Sequence, residues 1–277
     1  MDGRTGDVAP ALQFAAVDLD GTVLDADDRL IGDTAEALCE LHRRGVTIVL
    51  VTGRSATSFR TLRGLDRLLA ACDHEVLVDE GDVVLDRHTG AVRCAALLPD
   101  AAVHGVARDC ADHVLTAGGR LIASTRRAAT AYAVAYRIPR SLIGIGEPHG
   151  PVNRITVFGP PPPVIPRVAV EVIAPFSATV LKPAAGGKAA GLTAWLAGRF
   201  GEPDLTRVIA VGDGDGDAGM LASSGLGVAV RRSTPSAVAA ASIHLDGPLE
   251  DFLRALDPSS PAAVRVSNDE RYHREDS

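Results

Sequence analysis

The chain has 277 residues, 46% hydrophobic and 23% charged, a balance that builds a packed interior and excludes disorder over most of its length. With a formal charge of −7 and no Lys/Arg cluster interleaved with aromatics, a nucleic-acid backbone is excluded as a partner. No apolar run approaches the ~18 residues of a membrane span, and the first twenty residues lack the basic start and apolar stretch of a signal peptide, so the expected location is the cytoplasm.

Apolar runs of strand length alternate with helical stretches at the start of the chain. LQFAAV (12–17) ends at Asp18, TAEALCELHRR (34–44) shows helical spacing of Ala37, Leu38 and Leu41 with Gly45 as its C-terminal cap, and VTIVLV (46–51) ends at Thr52. Strands apolar on both faces, joined through helices, predict an α/β fold with a Rossmann-like parallel sheet. The same rhythm returns late, with RVIAV (207–211), LGVAV (226–230) and a closing helix LEDFLRAL (249–256).

The middle reads differently. It predicts a hairpin over VVLDRHTGAVRCAAL (83–97), a helix near 100–117, and strands at RLIAS, RITVFG and SATVLK, with the stiff PPPP run (160–163) among them. The expected organisation is a discontinuous core of residues 1–82 and 183–257, an inserted α+β cap domain over 83–182, and a mobile polar tail over 258–277. Cys39, Cys72, Cys94 and Cys110 are spaced by 33, 22 and 16 residues, without a C-x-x-C pair, and read as reduced, mostly buried thiols.

In an open parallel sheet the site lies beyond the carboxyl ends of the strands. Three strands end in reactive residues: Asp18 and Asp20, then Thr52-Gly53-Arg54, then Asp213 with Asp215 and Asp217. Crowded carboxylates either raise a pKa or hold a cation, and a hard ion such as Mg²⁺ suits carboxylate and phosphate oxygens. GGK (186–188) adds Lys188.

Asp18-Leu19-Asp20-Gly21-Thr22, Thr52-Gly53-Arg54, Lys188 and Gly212-Asp213…Asp217 resemble, in order and spacing, the four motifs of the haloacid dehalogenase superfamily of phosphohydrolases. An α+β insert between the second and third motifs is the Cof-type arrangement, and the likeness spans residues 12 to 256. It implies an aspartyl-phosphate mechanism with Asp18 as nucleophile and Asp20 as acid and base. It implies Mg²⁺ held by Asp18, Asp213 and the Asp20 backbone carbonyl, with Asp217 completing the acidic shell or orienting Lys188. Thr52, Gly53 and Lys188 would hold the phosphoryl group, and the substrate would be a small phosphorylated metabolite, a sugar or polyol phosphate first. Arg54, Arg137 and Asn153 are substrate-side candidates, with Arg126, Arg127, Tyr132 and Tyr136 as further cap candidates. Two positions depart from the pattern: Gly216 and Glu80 stand where the family usually has Asn.

Other readings of these residues are weaker. Gly214-x-Gly216-x-x-Gly219 follows a strand as a dinucleotide fingerprint does, but only Met220 to Ser224 precede the next glycine, and three aspartates would repel a pyrophosphate. A calcium loop from Asp213 would place Ala218 at its sixth position and Ser224 at its twelfth. A P-loop at GGK would have Lys182 as its first glycine. A phosphosugar mutase and a non-catalytic phosphosugar-binding regulator both keep the same fold, and the sequence leaves monomer or homodimer open.

Overall fold

A computed structural model describes residues 11–201 and 204–260. In chain order its first elements are β1 (Phe14–Val17), α1 (Thr34–Arg43), β2 (Thr47–Leu50), α2 (Ala56–Phe59), α3 (Asp66–Ala71), β3 (Glu75–Val78), β4 (Val83–Asp86), β5 (Val92–Cys94) and α4 (Asp100–Asp109). There follow β6 (His113–Ala117), β7 (Arg120–Ala123), α5 (Arg126–Ala135), β8 (Ile143–Ile145), β9 (Val152–Phe158), β10 (Val168–Ile173), β11 (Ala178–Pro183) and α6 (Lys188–Phe200). The last are β12 (Val208–Gly212), α7 (Ala218–Ser223), β13 (Leu226–Ala229), α8 (Pro235–Ala240), β14 (Ile243–His244) and α9 (Leu249–Ala255). The ten N-terminal residues and the expected tail from 261 onward lie outside the described residues.

Contacts gather the described residues into two compact units. The first comprises 11–50, 63–73, 196–201 and 204–260, and the second comprises 51–62 and 74–195.

The first unit is built on a five-stranded parallel sheet of order β14-β13-β12-β1-β2. Ala15 to Val17, Ile48 to Leu50 and Val208 to Val211 have 1% exposure or less, the burial expected of strands covered on both faces. Each large aliphatic side chain so buried contributes about 1.5–3 kcal/mol. α1 turns Ala37, Leu38 and Leu41 inward, and the chain leaves it through Gly45 at φ +91, a left-handed conformation that costs glycine nothing. Arg44 then donates to the carbonyls of Leu253 and Leu256 at 2.7 and 2.5 Å, satisfying groups that the end of α9 leaves open. The Leu12 N–H donates to the Pro258 carbonyl at 2.8 Å.

The second unit holds a six-stranded sheet of order β10-β11-β9-β6-β7-β8, antiparallel except for the β7–β8 pair, and a three-stranded antiparallel sheet β3-β4-β5. Side chains alternate across the larger sheet. Leu115 and Ala117 pack with Val106 of α4 and Ile155, whereas Val114 packs with Ala128, Ala129 and Tyr132 of α5, giving one apolar cluster on each face. The strand reading of RITVFG holds within β9, whose residues Val152 to Val157 are all buried.

Two expectations are corrected. The helix near 100–117 ends at Asp109, and His113–Ala117 is a fully buried strand, since Cys110-Ala111-Asp112 interrupts the helical pattern and HVLTA pairs with β7 and β9. None of the four thiols is in a disulfide, and only Cys72 is buried; Cys39, Cys94 and Cys110 are half-buried. Among the described residues no helix is long and apolar enough to cross a membrane.

Candidate active site

In the first unit the neighbouring strands β1 and β12 end side by side, and their register carries Asp18 and Asp213 together. The Asp18 N–H donates to the Val211 carbonyl at 3.0 Å, continuing the parallel ladder one residue past β1. The chain then turns on the Leu19 carbonyl, which accepts from Val23 and Leu24 N–H groups at 2.9 and 2.8 Å. Gly21 makes that turn at φ +83, and a Cβ there would lie 2.6 Å from the Asp213 Cγ. Only glycine brings the backbone this close. The Thr22 hydroxyl donates to Asp213 Oδ1 at 3.3 Å.

Asp217 is 1% exposed and accepts the N–H groups of Asp213 and Gly214 at 3.1 and 2.9 Å, which turns the loop after β12 back on itself. Asp18, Asp213 and Asp217 each place a carboxylate oxygen within 4.8 Å of the others. Three acidic oxygens at that spacing, two of the residues buried, form a hard donor set for a divalent cation. The Asp20 side chain is exposed and lies outside this trio. Asp215 turns the other way, toward the Ser236 hydroxyl, which with Thr234 holds its carboxyl below the usual range. Gly216 is exposed beside it.

The remaining expected groups lie in the second unit. Thr52 is fully buried; its N–H donates to the Leu77 carbonyl at 2.8 Å, and its hydroxyl accepts the Arg54 N–H at 3.1 Å. Lys188 opens α6 and is 6% exposed. Both segments meet the turn after β3, where Asp79, Glu80 and Gly81 have φ of 51°, 62° and 88° in succession. The Asp79 and Glu80 N–H groups donate to the Arg54 and Thr52 carbonyls at 2.7 and 3.0 Å. Glu80 lies against Gly53, where a Cβ would sit 2.6 Å from its carboxylate.

This turn is acidic and buried. Burial pushes the Asp79 carboxyl up to about 6, against the opposing pull of Arg154. Asp82 is likewise pushed up to about 6 by burial, opposed by its hydrogen bond from the Gly187 N–H and by Arg154. The Arg154 guanidinium stands 3.8 Å from Asp79 Oδ1; burial works against its charge, and Asp79 and Glu80 outweigh it. Burial also pushes the Tyr132 phenol up.

Of the substrate-side candidates, Arg54 is half-buried, Arg137 is exposed at φ +53, and Asn153 has no exposed surface. Arg126 is exposed, Arg127 forks onto Asp112 with its Nε at 2.6 Å, and Tyr132 stacks on Tyr136 with ring centroids 4.2 Å apart. Sequence reasoning did not single out Asp79, Asp82 or Arg154, and gave Thr22 no role beyond its place in the first motif. For the two acids the available signal was the unusual charge density of Asp79-Glu80-Gly81-Asp82 directly after an apolar strand.

A parallel sheet whose adjacent strands β1 and β12 deliver acids to one carboxyl end is an α/β, Rossmann-like scaffold with a candidate cation site. The family model of the haloacid dehalogenase-like hydrolases matches residues 15–113 and 178–248, more than half of the chain, and the chain belongs to that family. No curated protein matches it. Among solved structures it is similar to BT1666 of Bacteroides thetaiotaomicron, described as a phosphatase of the haloalkanoate superfamily, with a TM-score of 0.68 and 19% identity over 92% of this chain and 97% of that one. It is similar to BT4131, described as a subclass IIB sugar phosphatase, with a TM-score of 0.68 and 17% identity over 87% and 98%. TM0651 of Thermotoga maritima gives a TM-score of 0.70 and 16% identity over 89% and 98%. At these identities the likeness establishes the fold alone.

Proposed function

We propose that the chain is a Mg²⁺-dependent phosphatase of a small phosphomonoester, a sugar or polyol phosphate first, acting through an aspartyl-phosphate on Asp18. The observation that carries this reading is the meeting of Asp18, Asp213 and Asp217 oxygens within 4.8 Å, with Asp20 exposed two residues beyond the nucleophile. Bound there, with the Asp20 backbone carbonyl as a further ligand, Mg²⁺ would supply the positive charge that lets an anionic carboxylate meet an anionic phosphate. The description of BT4131 as a sugar phosphatase supports the substrate class.

In the first step an Asp18 oxygen bonds to phosphorus as the ester P–O bond breaks, and Asp20 gives its proton to the leaving oxygen. In the second, Asp20 takes a proton from water as the water oxygen attacks phosphorus. The bond from phosphorus to Asp18 then breaks, which restores both carboxyls. Thr52 and the Gly53 backbone hold the phosphoryl oxygens, Lys188 balances their charge, and Arg54, Arg137 and Asn153 are assigned to the substrate side. The reading includes a catalytic core of residues 1–82 and 183–257, a cap of 83–182 that selects the leaving group, and a cytoplasmic location.

The test is inorganic phosphate release from a panel of phosphorylated sugars, polyols, nucleotides and cofactors, with Mg²⁺ and with EDTA, for the wild type beside Asp18→Asn. Metal-dependent release confined to the wild type is expected. Silence across the panel overturns the hydrolase reading in favour of a mutase or a binding role, and residual turnover in folded Asp18→Asn removes Asp18 as nucleophile.

A further inference from the structure

All three carbonyls of the Thr52–Arg54 turn accept hydrogen bonds from other parts of the second unit. Thr52 and Arg54 accept from the backbone of Glu80 and Asp79, and the Gly53 carbonyl accepts from Arg154 Nη1 at 3.2 Å. Arg154 is 6% exposed and Asp79 has no exposed surface. Desolvating a guanidinium is costly and is offset only by partners in good geometry, so a buried arginine on a backbone carbonyl is a strong constraint on where that carbonyl lies.

The other end of the same turn reaches Lys188. Asp82, 1% exposed, accepts the Gly187 N–H at 3.0 Å through Oδ1, directly before the lysine that opens α6. It caps a helix start from a distant point in the chain, satisfying an N–H group that no intrahelical partner can reach. Small residues make the approach feasible: a Cβ at Gly186 would lie 2.9 Å from the Asp82 Cγ, and one at Gly191 would lie 2.6 Å from the Gly81 carbonyl carbon. The Asp79-Glu80-Gly81 run takes left-handed φ at two residues that ordinarily avoid it, a conformation that persists only where its surroundings over-determine it.

We propose that Asp82 and Arg154 are positioning residues that hold the Thr52–Gly53 turn and the Lys188 helix start in one fixed arrangement through the turn at 79–82. The inference rests on the reading of Thr52, Gly53 and Lys188 as the phosphate-holding groups. Neither Asp82 nor Arg154 touches substrate in this account; each acts through the backbone it anchors. Asp82 needs only an acceptor oxygen at Oδ1, so asparagine should serve in its place, whereas Arg154 needs both its reach and its charge.

The experiment measures inorganic phosphate binding to the full chain by calorimetry in Mg²⁺, together with kcat and KM on para-nitrophenyl phosphate, for Asp82→Ala, Asp82→Asn, Arg154→Met and Gly186→Ala. A misplacement of about 1 Å at a reacting site costs on the order of 10²-fold. Asp82→Ala and Arg154→Met are expected to weaken phosphate binding about 10-fold or more and to lower kcat, with Asp82→Asn within about threefold of the wild type. Gly186→Ala leaves both acids intact and pushes the helix start off Asp82, so it should reproduce the Asp82→Ala loss even if Asp82→Ala does not fold. Folded Asp82→Ala or Gly186→Ala with wild-type phosphate affinity overturns the proposal, as does equal loss in Asp82→Ala and Asp82→Asn. A wild type that binds no phosphate overturns the phosphate-holding reading and this inference with it, and is told apart from the other failures by the wild-type titration alone.

Discussion

Replacing Gly21 by alanine separates backbone strain from damage to the acidic centre. The new Cβ would stand 2.6 Å from the Asp213 Cγ and closer still to one of its oxygens, where carbon contacts settle at about 3.5–4.0 Å. Relief therefore requires about 1 Å of movement by the Asp213 carboxyl or by the turn carrying Asp20, enough to cost on the order of 10²-fold in turnover. The left-handed φ of +83 adds a conformational cost of about 1–2 kcal/mol. Gly45 is the control, because its φ is +91 and an added Cβ meets nothing within 4 Å. Urea unfolding should show a loss of about 1–2 kcal/mol in both variants. Only Gly21→Ala should lose phosphate release about 10²-fold and require more Mg²⁺ for half-maximal rate. Wild-type turnover and metal dependence in Gly21→Ala, or an equal activity loss in Gly45→Ala, would refute the account of Gly21 as the point of closest approach.

Two further outcomes are expected. Asp20→Ala should lower kcat by roughly 10²–10⁴ with the fold retained, and an unchanged rate in the phosphate-release assay would assign the proton transfers elsewhere. Because burial pushes the Asp79 carboxyl from an ordinary 3.8 up to about 6, its ionisation opposes the fold: the contribution of this one group is fullest below pH 4 and is lost as pH rises to and through 6, an effect on the order of 3 kcal/mol. Urea midpoints measured from pH 4 to pH 7 should therefore fall less steeply in Asp79→Asn than in the wild type, and parallel slopes would show that Asp79 does not carry this dependence.

The elements that sequence reading located well were those whose character is local. β1 and β12 carry no polar side chain and β2 only Thr47 at its start, because both faces are covered, and α1 announces itself through Ala37, Leu38 and Leu41. The boundary between α4 and β6 was missed because HVLTA is as apolar as the helix before it, and only pairing with β7 and β9 decides its state. β10 has the opposite difficulty: as an edge strand it leaves Val170 and Val172 exposed, so its pattern carries no burial signal. The acids of the first and last motifs were legible because each pair lies within a few residues. The Thr22 hydroxyl on Asp213 was not, since its partner is 191 residues away. Asp79 and Asp82 read as turn residues, and what makes them unusual is their desolvation, a property of packing rather than of composition.

The pairing of β1 with β12 has a consequence for synthesis. β1 is made before β12 and takes β2 as its neighbour within a few dozen residues, yet its other edge stays open until β12 arrives. Closing so long a loop is entropically costly and slow compared with local contacts. The candidate cation site consequently has no partial form in a growing chain: a chain ending before Asp213 carries Asp18 and Asp20 without the opposing carboxylates. On the proposed reading of the acidic trio, metal affinity would thus report completion of the sheet.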